Sequence, residues 1–169
     1  MNKTFKHYVL LIILALGFSA CGVYSFTGVS LSAEAKTVSV DYFNNTAALN
    51  EPTLSQIFTD GLRDYFASQT SLDLIERDGD LDIKGTIVDY NTRPMAITGD
   101  DKAALNRLTI RVKVSFVNFF DETKNYETTF TQHADYDSSL DLLDVQDQLI
   151  SEITDALIED IFNKAVVNW

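Results

Sequence analysis

The chain has few of the residues that form disulfide frameworks, flexible linkers and metal sites. It contains one cysteine, two prolines, seven glycines and two histidines in 169 residues. A single cysteine cannot close a disulfide within the chain, and the composition gives no sign of a Pro-rich linker, a repeat or a low-complexity tract. With so few Cys and His residues, a zinc site is not expected either.

Basic residues are scarce as well. Thirteen Lys and Arg stand against 25 Asp and Glu, which gives a formal net charge of −12 at pH 7. A protein that binds nucleic acid needs a basic face, so we expect no nucleic acid partner. Broad adhesion to an anionic membrane surface is disfavoured for the same reason.

The motifs of common catalytic sites are missing. No Gly-rich phosphate loop is present, and no Ser–His–acid grouping stands out. Asp78, Asp80 and Asp82 alternate as at the start of a calcium loop. An EF-hand would need Gly and Glu where this chain has Ile83 and Asp89, so a turn leading into a strand explains the aspartates better. We therefore expect no enzyme activity, no metal and no cofactor.

The one long apolar run lies near the start of the chain. Lys3 and Lys6 precede an uncharged stretch at residues 8–16, and small residues follow it. This stretch is too short to span a bilayer, which needs about 20 apolar residues. A short basic region, an apolar region and small residues are the layout of a secretory signal peptide, which we assign to residues 1–20.

The residues around Cys21 resemble a bacterial lipobox. Ser19 and Ala20 are the small residues before the cysteine, although Phe18 stands where Leu is usual. The resemblance implies that Cys21 is acylated and becomes the first residue of the mature protein, and the following residues 22–25 favour the outer membrane. The alternative is a buried or free thiol close to an ordinary cleavage site. Residues 21–36 would then form a lipidated tether, and residues 37–169 a single domain.

Alternation of apolar and polar residues predicts four strands. They cover residues 37–43, 81–88, 108–116 and 126–133. Residues 72–75 form a short apolar patch that we interpret as an extended segment. Residues 92–103 contain Pro94, Gly99 and two aspartates, which is typical of a loop.

Two further segments have apolar residues at helical spacing. The first helix begins at Thr53, which fits a capping box with Gln56, and ends near residues 68–69. Its apolar stripe consists of Leu54, Ile57, Phe58, Leu62, Tyr65 and Phe66. Gly61 lies on the same stripe, where it would let a strand approach closely. The second helix begins at the N-cap residue Asp144 and ends near Lys164.

The order β-α-β-β-β-α predicts an α+β fold. The simplest arrangement is a two-layer sandwich, in which one mixed four-stranded sheet carries both helices on one face. The first β-α-β unit should join parallel strands. The other face of the sheet would be hydrophilic and relatively basic, with Ser39, Lys84, Thr86, Thr109, Arg111, Lys113, Thr129 and Thr131. It is either a solvated face, as is common in antiparallel sheets, or a surface that meets a partner.

Several stretches in order resemble the LptE family of lipopolysaccharide-assembly lipoproteins. They are CGVYSFTG, PTLSQIFTDGLRDYFASQTSLDLI, DLDIKGTIVDY, AALNRLTIRVKVSF and IFNKAVVNW. The resemblance implies a lipoprotein anchored at the periplasmic face of the cell outer membrane. It also implies a plug and assembly partner of the β-barrel protein LptD, which delivers lipopolysaccharide to the cell surface.

The family resemblance also implies contact with lipopolysaccharide near the loop between the second and third predicted strands. The cations in this region are Arg93, Lys102 and Arg107. Arg and Lys can pair with a lipid phosphate, but these residues could equally be scattered surface charges. Two alternatives to the LptE role remain. They are an accessory lipoprotein of another envelope machine, such as the barrel-insertion complex or a secretin, and a periplasmic hydrolase or sugar-binding protein, which would need a concave polar site.

Overall fold

The computed structural model describes residues 34–49, 51–95 and 104–166. The predicted signal peptide, Cys21, most of the tether and Lys102 lie outside the described residues. The strands are β1 (Thr37–Val40), β2 (Asn44–Asn45), β3 (Asp73–Ile75), β4 (Leu81–Pro94), β5 (Leu105–Asn118) and β6 (Tyr126–Asp137). The helices are α1 (Leu54–Gln69) and α2 (Leu142–Val166), and a 3₁₀ turn covers Glu122–Lys124.

One mixed sheet forms the first layer, in the order β3-β1-β4-β5-β6, with β2 pairing with β4 beyond the end of β1. β1 is parallel to β3 and β4, whereas β4, β5 and β6 are antiparallel. The predicted α+β class is confirmed. The predicted number of strands is wrong, because the sheet has six strands rather than four. β2 and β3 have two and three residues, too few to show alternation.

β4 extends beyond its predicted end at residue 88. The prediction stops there because a bulge interrupts the alternation of apolar and polar residues. The pairing with β5 shifts between Ile87 and Asp89, so Val88 is an extra residue on the bulged strand. Beyond the bulge Tyr90 is buried and the strand continues to Pro94. Residues 92–94 therefore belong to β4 rather than to the predicted loop.

α1 packs its apolar stripe on the sheet, with two differences from the prediction. Ile57 is 43% exposed and does not belong to the core. The capping box is absent, because the Thr53 side chain makes no cap to the helix. Its hydroxyl instead donates to Glu51 Oε1 at 2.8 Å.

The two helices contact each other on the core face of the sheet. A Cβ atom on Gly61 would lie 2.9 Å from Ile158 Cδ1, so the close approach at Gly61 is made by α2 and not by a strand. The ring of Phe162 lies between those of Tyr65 and Phe66, with centroids 5.0 and 5.1 Å apart. These contacts place both apolar stripes against one another and against the sheet.

α2 begins earlier than predicted. Asp141 Oδ1 accepts the N–H of Leu143 at 3.0 Å, whereas Asp144 lies within the first turn. An acidic residue at either position suits the helix dipole, so the sequence alone does not separate them. Leu142 packs against the core, which favours the earlier start.

Candidate functional site: the open face of the sheet

The face of the sheet opposite the helices is built from alternate residues of β4, β5 and β6. We call it the open face. Its residues pair across the strands in rows, which are Lys84–Ser115–Glu127, Thr86–Lys113–Thr129, Asp89–Arg111–Thr131, Asn91–Thr109–His133 and Arg93–Arg107–Asp135. The six residues predicted to face a partner all lie here, and they are Lys84, Thr109, Arg111, Lys113, Thr129 and Thr131. Thr109 is half-buried and the other five are exposed.

Carboxylates on the same face pair with four of the five cations of the open face, and Arg93 is the exception. The ion pairs are Lys84–Asp82 at 2.6 Å, Lys113–Glu127 at 2.7 Å, Arg111–Asp89 at 3.1 Å and Arg107–Asp135 at 2.6 Å. The face therefore carries little net charge, whereas the chain as a whole has a formal charge of −12. The sequence does carry a signal for these partners. The hairpin register sets Asp135 directly opposite Arg107, and it sets Glu127 opposite Ser115, diagonal to Lys113.

One corner of the open face is covered. Ser39 is fully buried and donates to Asp82 Oδ1 at 2.6 Å, and it accepts the N–H of Gly79 at 3.0 Å. Asp82 is only 5% exposed, and the hydrogen bond between it and Lys84 raises the pKa of Lys84. The turn between β3 and β4 thus removes Ser39 from the surface, contrary to the prediction.

Arg93 and Arg107 are cross-strand neighbours at the far end of the open face. Arg107 donates Nε and Nη2 to the two carboxylate oxygens of Asp135, at 2.6 and 2.8 Å. This hydrogen bonding raises the pKa of Arg107 and lowers that of Asp135. The side chain of Arg93 makes no hydrogen bond or ion pair with another residue of the described ranges. Two of the three predicted lipopolysaccharide contacts are therefore adjacent, and only Arg107 already has an anionic partner.

A cavity of about 720 Å³ lies beyond the carboxyl ends of β1 and β3. Its lining comprises Asp41, Tyr42, Arg63, Leu74, Ile75, Glu76, Arg77, Asp78 and Lys84. Arg63 donates to the carbonyl of Val40 at 3.1 and 2.8 Å, and Lys84 pairs with Asp82. Arg63 therefore ties α1 to the end of β1, and Lys84 is held by a residue of its own strand, so two of the three cations of the lining are already engaged.

The three aspartates that alternate after β3 have structural roles. Asp80 accepts the N–H groups of Lys36 and Thr37, and Asp82 binds Ser39 and Lys84. Asp78 lies in the turn with a φ of 56°. In residues 34–49, 51–95 and 104–166, no group of three or more His, Cys, Asp or Glu residues is placed to hold a metal. Within those same ranges, no helix is both long and apolar enough to cross a membrane.

Solved structures with similar folds come from several bacteria. One is a protein of Xanthomonas campestris, with a TM-score of 0.51 and 12% identity over 80% of this chain and 91% of that chain. Another is the PelC dodecamer of Paraburkholderia phytofirmans, with a TM-score of 0.50 and 11% identity over 82% of this chain and 94% of that chain. A minor lipoprotein of Acinetobacter baumannii has a TM-score of 0.46 and 15% identity over 73% of this chain and 91% of that chain. At these identities the likeness concerns the fold alone.

No curated protein sequence matches the chain significantly. A family model described as LptE, Lipopolysaccharide-assembly, matches residues 35–165. The matched region includes all six strands and both helices, except for the last residue of α2. The family resemblance drawn from the sequence is confirmed, and the chain belongs to the LptE family of lipopolysaccharide-assembly proteins.

Proposed function

We propose that this protein is a lipid-anchored plug and assembly partner of an LptD-like β-barrel in lipopolysaccharide transport at the outer membrane. The observation that carries the proposal is the open face, in a chain of the LptE family. We further propose that Cys21 carries the acyl chains, at the periplasmic face of the membrane. Each buried CH₂ contributes about 0.8 kcal/mol, so two or more chains would anchor the protein stably.

The chemistry of the open face suits the lumen of a large barrel, which is polar and wet. Along β5 and β6, threonines alternate with cations that are paired with carboxylates. The face therefore offers hydroxyl donors and acceptors with little net charge. Exposed ion pairs of this kind are worth less than about 1 kcal/mol each, which leaves them free to exchange partners on docking. Such a face can bind a polar wall without burying an unpaired charge.

Contact with lipopolysaccharide is proposed for the Arg93 end of the open face. Arg93 has no anionic partner in the described part of the chain, whereas Arg107 beside it is held by Asp135. A guanidinium binds a phosphate through two parallel hydrogen bonds, so Arg93 is the residue that a lipid A phosphate would engage first. Lys102 would add a second cation from the loop that joins β4 and β5.

Site-specific photocrosslinking in cells tests the docking arrangement. We expect probes at Thr129 and Thr131 on the open face to give adducts with a large barrel protein. Probes at Glu152 and Asp155, on exposed positions of α2, provide the comparison. Adducts to a different envelope protein would favour the accessory role in another machine, and absence of any barrel adduct from the open face would contradict the proposal.

The role of Arg93 is tested by the Arg93→Ala substitution, with Lys113→Ala as the matched control. Both residues lie on the open face, but Lys113 pairs with Glu127. We expect Arg93→Ala to reduce retention of lipopolysaccharide by the purified protein severalfold, and Lys113→Ala to leave it close to that of the unmodified protein. Equal losses in the two variants would indicate non-specific charge attraction.

A further inference from the structure

Two aromatic side chains project from the turn between β5 and β6. Phe119 is 62% exposed and Phe120 is 47% exposed. We call residues 119–125 the aromatic turn. Aromatic residues of this size are normally buried, and an exposed pair in a turn leaves a compact apolar tip on an otherwise charged surface.

The aromatic turn is rigidly built. The side-chain oxygen of Asn118 accepts the N–H groups of Phe120 and Asp121 at 2.9 and 3.0 Å. The N–H of Asn118 donates to Asn125 Oδ1 at 2.7 Å, which closes the turn from the other side. Asn118 itself is 1% exposed. These bonds fix the backbone of the turn that carries the two exposed rings.

A single residue connects the aromatic turn to the point where the N-terminal tether meets the domain. The carbonyl of Asp80 accepts the N–H of Phe119 at 3.1 Å. The carboxylate of the same Asp80 accepts the N–H groups of Lys36 and Thr37 at 2.8 and 3.0 Å. The tether therefore joins the domain beside the two exposed rings.

We propose that Phe119 and Phe120 enter the interface of the bilayer to which the tether is anchored, so that the domain contacts the lipid surface through the aromatic turn. This inference rests on the proposed acylation of Cys21. Fourteen residues lie between Cys21 and Lys36, and the fifteen Cα–Cα steps give a reach of at most about 54 Å. Such a tether keeps the aromatic turn near the membrane but does not by itself fix its orientation.

The occupant is a lipid surface of low net charge. The chain carries a formal charge of −12, and Asp121 and Glu122 follow the two rings directly. An anionic surface would repel this tip, whereas phenylalanine rings gain from burial at the boundary of headgroups and acyl chains without an opposite charge. A zwitterionic leaflet, such as one rich in phosphatidylethanolamine, fits these requirements.

The contact is compatible with a plug inside a barrel. β4 and β5 have 14 residues each, which corresponds to about 46 Å at 3.3 Å per residue. The apolar band of an outer-membrane barrel is only about 25 Å tall. One end of the sandwich must therefore project beyond the band, and a tether anchored in the periplasmic leaflet makes that end the aromatic turn.

Fluorescence quenching by brominated lipids tests the proposal. The acylated full-length mature protein carries Phe119→Trp together with Trp169→Phe, so that one tryptophan remains, and is reconstituted in phosphatidylethanolamine–phosphatidylcholine vesicles. The control carries Leu143→Trp in the same background. Leu143 is 77% exposed and lies at the opposite end of the β5–β6 hairpin, after the end of β6.

We expect bromine-labelled acyl chains to quench the tryptophan at position 119 at least threefold more than that at position 143. Equal quenching at both positions, or none at position 119, would overturn the inference. Mass spectrometry of the N-terminus shows independently whether Cys21 is acylated. An unmodified Cys21 would remove the anchor and with it both proposals, whereas an acylated protein without quenching at position 119 would overturn the aromatic contact alone.

Discussion

Gly85 of β4 lies directly against the ring of Phe43. A Cβ atom at Gly85 would come 2.5 Å from the carbonyl oxygen of Lys113 and closer still to the Phe43 ring. Phe43 is fully buried, and its ring centroid is 5.0 Å from that of Phe58. The absence of a side chain on the core face of β4 is thus what allows Phe43 to anchor the connection between β1 and β2.

We predict that Gly85→Ala destabilises the protein by about 3 kcal/mol or more, because neither the ring nor the β5 backbone can move away cheaply. The measurement is urea unfolding followed by circular dichroism. Gly61→Ala is the matched control. Its Cβ would meet only the flexible end of Ile158, at 2.9 Å, and alanine gains up to about 1 kcal/mol over glycine in a helix. A Gly85→Ala variant as stable as Gly61→Ala would contradict the packing described.

Lys84 and Lys113 lie on the same face but should differ in their contribution to stability. Lys84 pairs with Asp82, whose side chain is almost fully buried, whereas Lys113 pairs with the exposed Glu127. Lys84→Ala would leave a buried carboxylate with Ser39 as its remaining side-chain donor. We predict a loss of about 1–3 kcal/mol for Lys84→Ala and less than about 1 kcal/mol for Lys113→Ala in urea unfolding. Equal losses would show that the Asp82 carboxylate finds another partner.

The hydroxyl of Thr59 holds the backbone of Phe43. It accepts the N–H of Phe43 at 3.0 Å and donates to the carbonyl of Ser55 at 2.7 Å, and both Thr59 and Phe43 are fully buried. Thr59→Val keeps the volume but leaves the N–H of Phe43 unpaired, so we predict a loss of about 1–3 kcal/mol. The control is Thr129→Val on the exposed face, which should change the unfolding free energy by less than about 0.5 kcal/mol.

Asp80 gives the junction between tether and domain a pH dependence. The hydrogen bond from the N–H of Lys36, followed by that involving Thr37, lowers the pKa of Asp80 from its ordinary value of 3.8. A lowered pKa in the folded state means that this contribution to stability is complete above about pH 4, the unfolded value, and is lost as the pH falls through the folded pKa. We therefore predict that Asp80→Asn is destabilising at pH 7 and that its difference from the unmodified protein shrinks below pH 4.

NMR measures the same junction directly. The carboxyl carbon of Asp80 and the amide protons of Lys36 and Thr37 should titrate together, with a midpoint below 3.8. A midpoint at or above that value, or amide shifts that do not follow the carboxylate, would contradict the hydrogen bonds described.

The sequence predicts those elements that are long enough for their apolar and polar residues to show a clear period. Alternation across residues 108–116 and 126–133 places every one of these side chains of β5 and β6 on the correct face. β2 and β3 are too short for a period, and their pairing depends on β1 and β4 lying beside them. The residue at which α2 begins likewise depends on the packing of Leu142 against the core, which is a tertiary contact.

The sequence placed the cations of the open face but did not identify their carboxylate partners. The cations of the open face were identified because they alternate with apolar residues. Their partner Asp89 was missed because it follows the bulge, where the alternation changes phase. Asp135 was missed because β6 extends past the predicted end of the strand, to Asp137. Register and strand length decide which charged residues lie on the same face, and residue type alone does not show this.

Val88 illustrates how much one inserted residue controls. Because Val88 bulges out of the pairing with β5, Asp89 reaches Arg111 on the open face and Tyr90 is buried on the core face. If Val88 paired regularly with β5 instead of bulging, all residues from Asp89 to Pro94 would change sides, drawing a carboxylate into the hydrocarbon interior and expelling an aromatic ring into water. The bulge at Val88 thus absorbs the extra residue and keeps the guanidinium of Arg93, five residues further along the strand, on the open face.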